Sequence, residues 1–243
     1  AIAAADANAG TVAKAVDKLN TAGEDILLLI GSDHGHETVG EIVDLDAKLV
    51  AAGFKAHTDS NDVVVASQGF SALVYLADNQ RHKIREIALF LSSLDGVGGV
   101  YAGADLDRIG QRSDGALAIA VDAAKSDTET AYGIPGLSAA FANRFSMTLE
   151  TGKGEHGGLG KYEQNPFLIA VGGGFVAGSQ TKQQTSAVDI APTVLDLLGI
   201  RTANAFVGHS LLDEAYRRAP YVLMGHGKEL SWEEPAHRVM FHQ

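Results

Sequence analysis

Five apolar residues in a row, Ile26-Leu27-Leu28-Leu29-Ile30, run straight into Gly31-Ser32-Asp33-His34-Gly35-His36-Glu37. A strand apolar on both faces belongs inside a sheet covered by helices, the setting of parallel strands in α/β proteins. In open α/β sheets, ligands bind outside the carboxyl ends of the strands, which is where this carboxylate and these two imidazoles stand. The run therefore predicts both a fold class and a place to look for chemistry.

Around it the chain alternates helix-like and strand-like stretches. Val12, Val16 and Leu19 recur at a spacing that puts them on one helix face, and Asn20 to Gly23 ends that helix. Beyond Asp44 the pattern predicts a helix near 45–52 and strands at 63–66 and 71–76. An amphipathic helix carrying Ile84, Ile87, Ala88 and Leu91 comes next, then strands at 97–102 and 115–121. Residues 127–141 read as loop around Gly133, Pro135 and Gly136. The first texture returns as a strand at 145–149, a glycine-rich loop, and a strand at 167–171. A helix follows on Val188, Ala191, Leu195 and Leu198, with Pro192 in its first turn and Gly199 at its end.

With 243 residues, 46% of them hydrophobic, the chain fills one large domain or a core with a smaller appendage. A formal charge of −11 argues against binding a nucleic-acid backbone, and a phosphate-bearing substrate would need positive charge supplied locally. No stretch is apolar enough for a membrane span. The absence of cysteine removes thiolate ligands and disulfides from consideration and leaves localisation open.

Asp33 and His34 point to opposite faces of a regular strand, so they reach one point only in a loop, which Gly35 permits. Carboxylate oxygen and imidazole nitrogen are both zinc ligands. His156, in Gly154-Glu155-His156-Gly157-Gly158, precedes another apolar strand, so its loop and the Asp33-His34 loop are expected to meet at one sheet edge. His36 reads as a solvated loop residue.

Three features in this order, Ser32-Asp33-His34-Gly35 after a strand, His156-Gly157-Gly158 followed by Glu163 and Pro166, and the helix Asp189-Ile190-Ala191-Pro192-Thr193-Val194-Leu195, resemble the C-terminal half of the alkaline phosphatase superfamily. The branch they resemble is the nucleotide pyrophosphatase/phosphodiesterase group, including phosphonoacetate hydrolase-like enzymes. The resemblance implies an α/β fold, with a largely parallel sheet sandwiched between helices and an inserted smaller α/β cap. It puts the core at 1–45 and 145–213, the cap at 46–144, and leaves 214–243 as an unassigned tail. It implies a metal-dependent hydrolase of phosphodiester, phosphomonoester or phosphonate substrates, small and anionic, with two zinc ions. Asp33 and His34 would ligate the zinc that holds the nucleophile, and His156 would complete the other. The nucleophile and remaining ligands are expected upstream of Ala1, so turnover by this chain alone is expected to be negligible. Sulfatase or phosphomutase chemistry lies within the same superfamily. Two other readings stand beside it: a single metal held by Asp33, His34 and His156 together, and a non-catalytic fragment.

Overall fold

The computed structural model describes residues 2–142, 149–181, 185–202, 206–213, 222–225 and 228–231, the last two segments as backbone only. The expected strand at 145–149 falls almost wholly outside the described residues. No described helix is long and apolar enough to cross a membrane. The chain forms two compact units, Ala1–Asp33 with Pro166–Tyr221, and His34–Asn165 with Val222–Gln243. The break between the units falls inside the opening motif, between Asp33 and His34.

In the first unit, helix α1 (Ile2–Thr21) buries Val16 but leaves Val12 and Leu19 about half exposed. Asn20 then fixes the chain entering strand β1 (Leu28–Gly31). Its side-chain amide donates to the Ile26 carbonyl and its side-chain oxygen accepts the Ile26 N–H at 2.8 Å. Strand β10 (Leu168–Val171) runs antiparallel to β1, with Ile30 opposite Ile169. Helix α5 (Ile190–Leu197) ends at Gly199, as expected, but its expected apolar face is largely uncovered, Val188 and Leu198 being exposed.

What is buried beneath α5 is polar. Asp189 accepts the Ser186 and His209 N–H groups, while Thr193 donates to the Asp189 carbonyl and accepts the Leu211 N–H. A capping box between Ser186 and Asp189 closes the 3-10 turn Ala187–Asp189 that leads into α5, supplying acceptors to the amides at its start. The Asp-Ile-Ala-Pro-Thr motif thus closes the turn before a helix and pins the segment that follows.

The second unit holds the main core. Strands β3 (Val63–Gln68), β4 (Ser71–Leu76), β5 (Val97–Ala102) and β6 (Leu117–Ala123) form an antiparallel sheet in the order β3-β4-β6-β5. Helix α2 (Leu45–Ala51) buries Leu45 and Leu49, and helix α3 (Ile84–Ser92) buries Ile87, Ala88 and Leu91. These residues join Val63, Phe70, Val74, Ile119 and Phe141 in one cluster. Each fully buried aliphatic or phenyl side chain contributes about 1.5–3 kcal/mol relative to exposure. A short helix α4 (Asp105–Arg108) follows β5.

Strands β2 (Glu37–Val43), β7 (Lys125–Glu129), β8 (Pro135–Phe141) and β9 (Gly154–Glu155) make a second sheet, in the order β7-β8-β2-β9. The backbone of β11 (Val222–Gly225) and β12 (Lys228–Ser231) pairs as an antiparallel ribbon.

The α/β class agrees with expectation, but the sheets are not largely parallel. Among the described residues only β2 and β8 pair in parallel. Connection length accounts for part of this: β3 and β4 are separated by two residues, Gly69 and Phe70, enough for a hairpin and far too few for a parallel crossover. The 127–141 stretch, expected as loop, forms most of β7 and all of β8.

Candidate metal centre of the second unit

Strand pairing brings the two histidine loops together. Strand β9 runs antiparallel to β2 with Glu155 opposite Glu37, so His156, one residue past β9, lies across from His36, one residue before β2. The His34 and His156 rings stack, their centroids 3.8 Å apart and their planes 12° from parallel. His36 stands edge-on to both, 5.1 Å from His34 and 5.6 Å from His156. Expected as a solvated loop residue, His36 is indeed exposed, yet it belongs to this cluster. The signal that places it there is the β2/β9 register, which a single sequence does not carry. Asp33 closes the other compact unit.

The stacked rings restrict what they can bind. An imidazole holds a metal through a nitrogen lone pair lying in the ring plane. Two nearly parallel planes almost 4 Å apart do not meet at one ion, so a metal taken up through the lone pair of either ring would be that ring's own. His34 is oriented for such a role: its Nδ1 lies 2.8 Å from the Gly35 carbonyl oxygen. That oxygen can only accept, so in the neutral ring Nδ1 carries the proton and the lone pair falls on Nε2. His156 Nε2 lies 3.7 Å from Glu155 Oε1. Among the described residues, no three His, Cys, Asp or Glu side chains are arranged around one point as ligands of a single ion.

Gly35 is needed for a reason other than the expected one. It lies outside the left-handed region, but a Cβ there would stand 2.1 Å from the Tyr162 carbonyl oxygen, and its N–H donates to the Glu163 carbonyl. The His34 and His156 loops are thus knitted backbone to backbone.

Beneath the His156 loop lies a group of charges absent from the sequence reading. The Lys125 ammonium is buried, 3.1 Å from Glu163 Oε1, 3.4 Å from Asp122 Oδ1 and 4.0 Å from Glu37 Oε2. Loop amides satisfy the carboxylates: Gly158 and Gly160 donate to the two oxygens of Glu163, Leu159 to Asp122 and Tyr162 to Glu37. Ser138 donates a short hydrogen bond to Glu37. Burial pushes the Asp122 carboxyl up to about 6, against the opposing pull of Lys125 and the Leu159 amide. The one sequence signal for this cluster is the glycine spacing of Gly157-Gly158-Leu159-Gly160. A Cβ at Gly160 would lie 2.1 Å from Glu37 Oε1.

No family model matches the chain, and no curated protein matches it in sequence. Among solved structures, it is similar to phosphonoacetate hydrolase from Sinorhizobium meliloti 1021. The complex with phosphonoformate gives a TM-score of 0.43 at 17% identity, and the complex with phosphonoacetate gives 0.43 at 16%. Each match covers 64% of this chain and 38% of the enzyme, so the chain spans well under half of that enzyme's length.

Proposed function

We propose that this chain forms part of a metal-dependent hydrolase of phosphate or phosphonate esters, in which His34 and His156 serve two different zinc ions. The observation that carries the reading is the stack of these two rings, from loops more than a hundred residues apart, in a geometry that suits one ion per ring. The order of the three superfamily-like motifs supports it. Asp33, next to His34, is assigned to the same zinc as His34.

His34, fixed through Gly35, would present Nε2 to its ion, and His156 would be set by the backbone that anchors its loop. Zinc bound there would supply the positive charge that a chain of net charge −11 lacks for an anionic ester, and would polarise the phosphorus-bound oxygens. With the attacking hydroxyl assigned outside these residues, hydrolysis of an aryl phosphodiester by the 243-residue chain is expected to be negligible. The stacked planes favour the two-ion assignment over a single ion shared by Asp33, His34 and His156.

Zinc titration by calorimetry tests the assignment. His34→Ala and His156→Ala should each weaken or abolish binding of one ion and spare the other, whereas His36→Ala should change affinity less than about tenfold, within the range of an outer-shell effect. Loss of all zinc from both single variants alike would favour a shared ion, and unchanged binding in both would remove the metal reading.

A further inference from the structure

We propose that Glu163 is a positioning residue for His156, held in place by a buried latch centred on Lys125. The geometry of the latch stands by itself; its meaning for metal binding rests on the zinc reading above.

Glu37 of β2, Asp122 of β6 and Glu163 of the His156 loop surround the single ammonium of Lys125 on β7. The Glu37 and Glu163 side chains are only 2% and 1% exposed. Three carboxylates against one ammonium leave an excess of negative charge, which is unfavourable in a buried place unless hydrogen-bond donors converge on it. Beside the Ser138 hydroxyl on Glu37, the donors are the four loop amides of Gly158, Leu159, Gly160 and Tyr162. Within five residues, therefore, the backbone just after His156 takes over the solvation of all three carboxylates.

On the other side of His156, its carbonyl accepts the N–H of Phe70 in the β3–β4 turn. The imidazole is consequently carried on a backbone fixed before and after it. If the latch opens, the loop loses its acceptors and the ring loses its register against His34. A loop whose glycines served only to make it supple would show none of these amides committed to buried carboxylates.

The test uses the full chain and Glu163→Gln, which keeps the volume but leaves one acceptor oxygen for two amides. Hydrogen exchange is followed in segments 157–162 and 117–123, and affinity is measured for zinc ion alone. The expected result is exchange at least about tenfold faster in 157–162, no change in 117–123, and zinc bound about 10–100-fold more weakly, the usual size of an outer-shell effect on a metal site. Unchanged exchange in 157–162 would overturn the latch. Faster exchange with wild-type zinc affinity would overturn the positioning role and leave Glu163 purely structural. His156→Ala, measured in parallel, separates the two ideas: wild-type zinc affinity in that variant would refute the zinc reading, and the latch would then be judged by exchange alone. Should Glu163→Gln fail to fold, Asp122→Ala, which removes the acceptor of the Leu159 amide, puts the same question through that amide.

Discussion

Gly160→Ala is the sharpest perturbation of the layer that supports the histidines. The new methyl group would sit 2.1 Å from Oε1, 2.5 Å from Cδ and 2.6 Å from Oε2 of Glu37, a side chain that is itself buried. Either the carboxylate or the loop must move. Moving the carboxylate gives up the hydrogen bonds from Ser138 and Tyr162, and a hydrogen bond to a charged group contributes about 1.5–3 kcal/mol. Moving the loop instead overpacks the site, at a cost of about 1–3 kcal/mol. The cheaper route sets the loss, so about 1–3 kcal/mol is expected, a sizeable share of the roughly 5–15 kcal/mol that holds a typical domain together. Urea unfolding followed by far-ultraviolet circular dichroism measures it, and Gly115→Ala is the control, since a Cβ there meets nothing within 4 Å. The control should stay within about 1 kcal/mol of wild type. A loss below about 1 kcal/mol for Gly160→Ala would show that the Glu37 carboxylate does not occupy this place and would refute the latch geometry.

Two further predictions follow from single side chains. Because the Asp122 carboxyl stands near 6 in the fold against about 3.8 when unfolded, the folded protein binds the extra proton between these values. Its contribution is complete below about pH 4 and is lost as pH rises through 6, a change on the order of 3 kcal/mol. Asp122→Asn cannot titrate, so the stability of wild type relative to this variant should fall between pH 4.5 and pH 7.5 in urea titrations; a difference that grew with pH would contradict the assignment. Ser186→Ala removes half of the capping box of the turn that leads into α5 and should cost about 1 kcal/mol by the same measurement, whereas a neutral effect would mean that the cap is not formed in solution.

How much of this was legible in the sequence depended on whether a segment kept its period. Strands β3 to β6 and helix α3 keep theirs, Val63, Val65, Ile87 and Leu91 falling on faces that the structure buries, and all of them were readable. Strand β2 was not, because a register shift between Val39 and Glu41 breaks its alternation and because it opens on Glu37, a carboxylate at 4% exposure. Strand β1 is legible as a strand, but its antiparallel partner β10 lies about 140 residues away, and nothing in a single run of apolar residues encodes strand sense.

The candidate site divides along the same line. His34 and His156 carry a chemical signature in the sequence, and the structure stacks their rings. His36 carries no such signature, because its neighbours are decided by pairing between β2 and β9. Lys125, Asp122 and Glu37 each look like ordinary surface charges in the sequence; they become a buried cluster only when β2, β6 and β7 converge on the glycines of the His156 loop.

The central claim is that the stacked imidazoles of His34 and His156 serve two ions. A crystal of the chain grown with zinc, with the ions located by anomalous scattering at the zinc edge, tests it most directly. Two peaks about 3.5–4 Å apart are expected, one bonded to His34 and the other to His156. A single ion bonded to both rings, or zinc bound away from both, would contradict it.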